Sequence, residues 1–182
     1  MLSGVAVMSK WRLIVLSVLI FCSGFSIGIV GKVIYENTTI KPYHWKTLPI
    51  VINCYGSDFS ELQMIRAVEY WAIRGYNIGF YEHNPPESVC NNKSDWLYGM
   101  IIIRKASKFQ LDHSTLASTR RYTSLNQMKG SIIYYKPGSF NLTLINEHEL
   151  GHALGFTHVD IVGHIMHPHF NKMGRDFWIP TD

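Results

Sequence analysis

Four side chains within eleven residues have the types and spacing to hold a metal ion and activate a water molecule. His148 and His152 are four positions apart, so both imidazoles leave the same face of a helix and can bind one cation. His158 can add a third nitrogen, because Gly155 can take the left-handed conformation that ends a helix and lets the chain reverse. Glu149 is not placed to be a further ligand from the helix. It can reach a water molecule on the cation and accept its proton.

This set of ligands fits zinc. Imidazole nitrogens bind zinc at about 2.0–2.1 Å, and three protein ligands leave the fourth position to water, as in catalytic rather than structural sites. Nine histidines among 182 residues make one pair at this spacing common by chance, but the complete five-position pattern is not. We therefore predict one catalytic zinc ion bound by His148, His152 and His158, with Glu149 as the general base and acid.

The elements that must position these residues indicate an α+β domain. In chain order they are a strand at 48–54, a helix from Ser60 to Gly75, strands at 76–82, 96–104, 116–123 and 131–136, and a second helix from about 141 to 154. Ser60 and Gln63 form a capping box for the first helix. Asn141 or Thr143 is expected to cap the second. The first helix is expected to bury one face made of Leu62, Ile65, Ala67, Val68 and Trp71 or Ala72.

The N-terminal part contains an apolar run from Leu13 to Gly31, in which Cys22 is the one ionisable residue. As a helix these 19 residues would span about 28 Å, close to the thickness of the bilayer's hydrocarbon core. Lys10 and Arg12 precede the run, as in a signal anchor or signal peptide. We predict a tail at 1–12, a transmembrane anchor at 13–31, a stalk at 32–46 and a catalytic domain at 47–182 outside the cytoplasm. A cleaved signal peptide, which would give a secreted protein, and a buried core helix are the alternatives.

Composition excludes other classes of protein. Hydrophobic residues make up 47% of the chain and charged residues 16%, which excludes a disordered tail and argues against a coiled coil. The net charge of +4 is spread without a basic run, so no nucleic-acid partner is expected. Cys54 and Cys90 either form a disulfide, which the predicted location permits, or are two buried thiols.

The residues 148–158 carry the pattern HExxHxxGxxH, which is the metzincin signature, and the chain resembles a minimal matrixin (matrix metalloproteinase-like) catalytic domain. Met166 follows His158 by eight residues, as in matrixins, and the segment 166–170 resembles their Met-turn. The resemblance covers about residues 45–170. It implies a metzincin fold with a mixed twisted sheet and two main helices, and zinc-dependent hydrolysis of polypeptides.

The resemblance also implies how a substrate binds. Leu116 and Ala117 lie in a segment similar to the edge strand that pairs with the substrate backbone. Met166 would form an apolar floor beneath the zinc. The pocket for the side chain after the scissile bond would be walled by Pro168, His169 and Phe170.

Several features depart from the matrixin pattern. No cysteine-switch propeptide is recognisable, and the final helix is expected to be a stub around 172–178. A second zinc site has no clear counterpart, with Asp112-His113 expected on the solvated surface, and structural calcium is left open. His167 replaces an aromatic residue, and its role, like those of His164 and His169, could be packing, hydrogen bonding or metal binding. The competing function is a membrane-anchored binding or virion-structural protein that keeps the scaffold.

Overall fold

A computed structural model describes residues 43–92, 96–107 and 110–179. The strands in these ranges are β1 (His44–Trp45), β2 (Ile50–Asn53), β3 (Phe80–Glu82), β4 (Met100–Lys105), β5 (Ala117–Ser124) and β6 (Gln127–Tyr135). The helices are α1 (Glu61–Ala72), α2 (Glu87–Cys90) and α3 (Ile145–Leu154), with 3-10 turns at Ser139–Asn141 and Phe170–Lys172. The strand–helix–strands–helix order predicted from the sequence is confirmed.

The strands form one mixed sheet. Its order is β1-β6-β4-β2-β3, with neighbours parallel, and β5 pairs antiparallel with β6. The central strands are β-branched and buried, as parallel strands covered on both faces require; the buried positions include Val51, Ile52, Ile101, Ile102, Ile103, Ile132 and Ile133. A tight turn with positive φ at Leu125 and Asn126 returns β5 onto β6. Among the described residues β5 is therefore an edge strand.

Helix α1 begins as predicted, but the face it buries matches the predicted one only in part. The Ser60 hydroxyl accepts a hydrogen bond from the backbone N–H of Gln63 at 3.4 Å. The prediction that Leu62 and Ile65 are buried is wrong, since they are 57% and 37% exposed. The buried residues are Met64, Ala67, Tyr70 and Trp71. The two large aromatic side chains fix the face that packs inward, which includes Ala67 and Trp71 of the predicted stripe but not Leu62 and Ile65.

Helix α3 starts later than predicted and without a side-chain cap. Its N-cap is Leu144, at φ 69°, and neither Asn141 nor Thr143 caps it. Asn141 instead closes the 3-10 turn that precedes the helix. The first turn of α3 is tied to that 3-10 turn by Asn146, whose amide donates to the carbonyl of Phe140 at 2.9 Å. The start of α3 is therefore held by Asn146, a residue within the helix, and not by a capping side chain.

The C-terminal end of α3 depends on a glycine. Gly155 has φ 114°, and a Cβ there would collide with the backbone of Tyr43. The indole of Trp45 donates to the carbonyl of Ala153 at 3.0 Å. Residues 43–45, assigned to the stalk by composition, therefore pack on the end of α3, and His44–Trp45 pair with β6.

Behind α3 lies a cluster of aromatic rings. Trp71 stacks on Phe156 with ring centroids 5.1 Å apart and contacts Tyr76 and Phe177 edge-on. The Trp71 indole also donates to the carbonyl of Glu147 at 2.7 Å. These contacts hold α1 against α3 and bury Phe156 in the core.

Cys54 and Cys90 form a disulfide, so the first of the two alternatives holds. The bond joins the end of β2 to α2, a short helix between β3 and β4. Further along, Trp96 stacks on Tyr122 of β5 with centroids 4.9 Å apart. The residues after β3 thus cover one face of the sheet.

The expected C-terminal helical stub is absent among the described residues, and that prediction is wrong. After the 3-10 turn Phe170–Lys172 the chain runs beside the segment before Met166 and in the same direction. His164 and Asp176 form a parallel bridge, and the N–H of Ile165 donates to the carbonyl of Asp176 at 2.7 Å. The backbone groups bond across to this segment, which leaves them unavailable for a helix.

No helix within the described ranges is long and apolar enough to cross a membrane. The transmembrane or signal segment predicted at 13–31 lies outside the described residues.

Candidate metal centre

Three imidazole rings converge beside α3, two from the helix and one from the segment that follows it. The Nε2 atom of His152 lies 3.1 Å from that of His148 and 3.1 Å from that of His158. One ring nitrogen from each of the three residues falls within 4.8 Å of the others. His148 and His152 share a helix face through their four-residue spacing, and the turn at Gly155 brings His158 back to them.

The other ring nitrogens show which protonation state the first two histidines adopt. The Nδ1 atom of His148 lies 2.8 Å from the carbonyl oxygen of Ile165, and that of His152 lies 2.9 Å from the carbonyl oxygen of Phe156. A carbonyl only accepts, so each Nδ1 must carry the proton and donate. Each neutral ring then presents the lone pair of Nε2 to the centre.

Burial keeps these rings neutral. It lowers the pKa of His148 to about 4 and that of His152 to about 3, because a charged imidazolium loses its solvation there. Two unprotonated nitrogens 3.1 Å apart repel one another unless a cation lies between them. The arrangement is therefore a cation site.

The donor set fits zinc. Nitrogens at about 2.05 Å from a tetrahedral zinc ion are about 3.3 Å apart, close to the two 3.1 Å separations found here. Within the described ranges no second group of three or more His, Cys, Asp or Glu side chains converges in this way. Asp112-His113 is exposed, as expected, and both backbone carbonyls accept from the ammonium of Lys136.

Glu149 lies beside the histidines and is only 4% exposed. Its Oε2 accepts a hydrogen bond of 2.6 Å from the hydroxyl of Thr119 on β5. Burial raises the pKa of Glu149 to about 7, although the Thr119 hydrogen bond opposes the shift. The carboxyl group can therefore take up and release a proton near neutral pH.

An open cleft of about 490 Å³ runs past these groups. Of the predicted substrate-binding residues, Leu116, Pro168, His169 and Phe170 line it. Ala117 is buried and pairs with Tyr135 of β6. The cleft is also lined by His148, Glu149, His158, Ile145, Ser114, Thr115, Asn171 and Met173.

Met166 lies beneath α3 and is fully buried. A Cβ on Gly151 would come within 2.5 Å of both the Met166 sulfur and the Trp71 ring. The close approach of α3 to Met166 therefore requires a glycine at this position. Met166 therefore packs directly against α3 at Gly151, and its role as an apolar floor beneath the zinc stays a prediction.

Two of the remaining histidines hold the backbone around Met166. The Nδ1 of His164 accepts from the N–H of Met166 at 3.0 Å, and the Nδ1 of His167 accepts from the N–H of His169 at 2.9 Å. His167 is 1% exposed, and its Nε2 lies 3.1 Å from the carboxylate of Asp160, although not aligned for a hydrogen bond. Both therefore act in hydrogen bonding, one of the three roles left open, and neither joins the three converging nitrogens.

Sequence reasoning missed two residues of β5. Thr119 was placed in the edge strand but given no role, and Arg121 was not considered. The guanidinium of Arg121 donates to the carbonyls of Gly155 and Phe156, at 3.3 and 3.4 Å. These hydrogen bonds stabilise the turn that leads to His158. The alternation of side chains along a strand could have placed both on the face toward α3. Their partners could not be read from the sequence.

The chain matches a model of a known protein family. The family model described as Matrixin matches residues 67–182, well over half of the chain, and the matched range includes the second half of α1, all of α3 and Met166. No curated protein matches the chain.

Proposed function

Since this chain belongs to the matrixin family of zinc metalloproteases, we propose that it is an endopeptidase that hydrolyses peptide bonds of protein substrates. The observation that carries the proposal is the convergence of three imidazole nitrogens beside a buried carboxyl group on an open cleft. A scaffold retained only for binding would have no use for a buried Glu149 at this position.

His148, His152 and His158 would hold the zinc ion. When bound, zinc supplies a Lewis acid that polarises the scissile carbonyl and makes a water molecule acidic. Glu149 performs the proton transfer: its carboxylate accepts a proton from the attacking water and later donates it to the leaving amine. A pKa near 7 suits both roles at neutral pH. Because Oε2 is engaged by Thr119, Oε1 is the oxygen available to the water.

Strand β5 would bind the substrate backbone. It pairs with β6 on one side, so an extended peptide can add to its other edge along residues 116–119. The position of Leu116 on the cleft supports this placement, and a role for Ala117 would be through its backbone, since its side chain is buried. Pro168, His169 and Phe170 would contact the side chain that follows the scissile bond.

We further propose that the catalytic domain works outside the cytoplasm, either tethered by residues 13–31 or secreted after their removal. Two features support this location. One is the uncharged apolar run preceded by Lys10 and Arg12. The other is the Cys54–Cys90 disulfide, since such bonds persist in oxidising compartments.

The test is cleavage of an unstructured protein such as casein by the purified full-length chain, with and without a zinc chelator. Glu149→Gln should keep one equivalent of zinc and lose about 100-fold or more of the hydrolysis, because it removes the proton acceptor. Glu147→Gln is the matched control, since Glu147 is on the same helix but lines grooves away from the histidines. Its activity should be that of the unmodified protein.

The outcomes separate the two candidate functions. Chelator-sensitive cleavage that disappears in Glu149→Gln supports the endopeptidase. Zinc binding without cleavage of any polypeptide would favour the binding or virion-structural protein. Full cleavage by Glu149→Gln would remove Glu149 from its proposed role.

A further inference from the structure

Thr119 connects the edge strand to the carboxyl group of Glu149. Its backbone pairs with Ile133 of β6, while its side chain faces α3. The Thr119 hydroxyl oxygen lies 2.6 Å from Oε2 of Glu149 and 3.1 Å from the backbone carbonyl oxygen of the same residue. The neighbouring residues of the strand, Ser118 and Arg120, have exposed side chains. Thr119 is therefore the point at which β5 touches the proposed general base.

The geometry indicates where the hydroxyl proton goes. A threonine hydroxyl has one proton, and both oxygens of Glu149 near it are acceptors. The 2.6 Å separation is typical of a charge-assisted bond from a hydroxyl to a carboxylate, whereas 3.1 Å is long for an O–H donor. The proton therefore points at Oε2.

This bond restricts the carboxyl group. A glutamate side chain has three rotatable bonds, and burial alone does not fix the last of them. Holding Oε2 from β5 limits rotation about that last bond and leaves Oε1 as the oxygen that Thr119 does not engage. The hydroxyl comes from the strand proposed to bind the substrate backbone, so the same element aligns the substrate and the base.

We propose that Thr119 is a positioning residue for Glu149: its hydroxyl anchors Oε2 and thereby presents Oε1 to the reacting water. This inference rests on the proposed endopeptidase function. A positioning role predicts an effect on kcat, because the alignment matters in the transition state and contributes little to substrate binding.

The test compares three substitutions in the full-length protein. Thr119→Val keeps the shape of the side chain and removes the donor, Thr119→Ser keeps the donor, and Thr123→Val is the matched control on an exposed position of the same strand. Thr119→Val should lower kcat about 10- to 100-fold, the range for loss of a hydrogen bond to a charged group, with KM within about twofold. Thr119→Ser should recover kcat to within about threefold of the unmodified protein, and Thr123→Val should match it. All should bind one equivalent of zinc.

A second readout does not depend on activity. A hydroxyl proton held in a buried hydrogen bond exchanges slowly with solvent, so the metal-free protein should show its proton resonance by NMR. The resonance should be missing in Thr119→Val and displaced in Glu149→Ala. If Thr119→Val does not fold, Thr119→Ala removes the same donor and gives both readouts.

The outcomes distinguish this inference from the proposed function. Unchanged kcat in Thr119→Val, with cleavage still chelator-sensitive, overturns the role of Thr119 and leaves the endopeptidase intact. A raised KM at constant kcat also overturns it, because Thr119 would then act on substrate binding. If the unmodified protein cleaves nothing while the hydroxyl resonance is present, the contact stands and the proposed function fails.

Discussion

The carbonyl oxygens of Ile165 and Phe156 determine how His148 and His152 present their rings. Each carbonyl accepts from Nδ1 at 2.8–2.9 Å, so each Nε2 is free of a proton before a cation arrives. The carbonyls belong to the residue before Met166 and to the turn before His158. The segments after α3 therefore orient the rings of His148 and His152, and they also supply His158.

At the residue scale, burial of these groups predicts how stability depends on pH in the metal-free protein. The pKa values of His148 and His152 are lowered, to about 4 and about 3, so between about pH 4.5 and 6 the unfolded chain binds more protons at these two groups. The pKa of Glu149 is raised to about 7, so over the same range the folded state binds one more proton there. As the pH rises, the two histidines therefore stabilise the folded state, whereas Glu149 destabilises it. The free energy of unfolding should therefore rise by about 1.4 kcal/mol per pH unit from these groups, as measured by urea unfolding.

Glu149→Gln provides the control for that measurement. It removes the opposing titration, so the slope between about pH 4.5 and 6 should become about twice as steep. A free energy of unfolding that falls with pH over this range, or a slope that does not change in Glu149→Gln, would contradict the assigned burial of these three groups.

At the element scale, the packing of α3 on the Met166 turn sets the position of the ligands. A Cβ on Gly151 would meet the Met166 sulfur and the Trp71 ring at 2.5 Å. Gly151→Ala should therefore lower the free energy of unfolding by about 1–3 kcal/mol, although alanine is the better helix former, because the helix must move outward. Chemical unfolding with zinc removed would measure the loss.

A double-mutant cycle makes this prediction specific. Met166→Ala removes one of the two side chains that the new methyl group meets, so Gly151→Ala should be less destabilising in its presence, by about 0.5 kcal/mol or more. Strictly additive effects would show that the helix does not press on Met166.

At the scale of the whole molecule, the disulfide joins the sheet to the segment that covers one of its faces. Cys54 and Cys90 are separated by 36 positions. Closing a loop of this length in the unfolded chain corresponds to about 4 kcal/mol in the chain-entropy description. Replacing both cysteines by serine should lower the free energy of unfolding by about 2–5 kcal/mol and leave zinc binding unchanged, because the bond lies away from the histidines.

Reduction serves as the comparison for the serine variant. A reducing agent should destabilise the unmodified protein to about the same extent and should have no effect on the double serine variant. Equal stability of the oxidised and reduced forms would mean that the bond contributes nothing to the fold.

The converging histidines, the proposed general base and the family could be predicted from short patterns in the sequence. These depend on short separations along the chain: four residues on one helix face, and six more across a turn that a glycine permits. Such geometry depends mainly on a short stretch of chain, so it can be predicted from the sequence. The order of strands and helices was also readable, because the apolar periodicities of the two element types differ.

Contacts in the folded chain fix which face α1 buries, how α3 begins, that residues 173–179 form no helix, and that Cys54 pairs with Cys90. They also separate His164 and His167 from the zinc ligands and place Thr119 against Glu149, 30 positions apart in the chain. The entry to α3 and the hydrogen bonds of His164 and His167 are local, but the other outcomes depend on contacts between distant segments. Packing selects such contacts from many that the same local pattern would allow, so no local pattern could have revealed them.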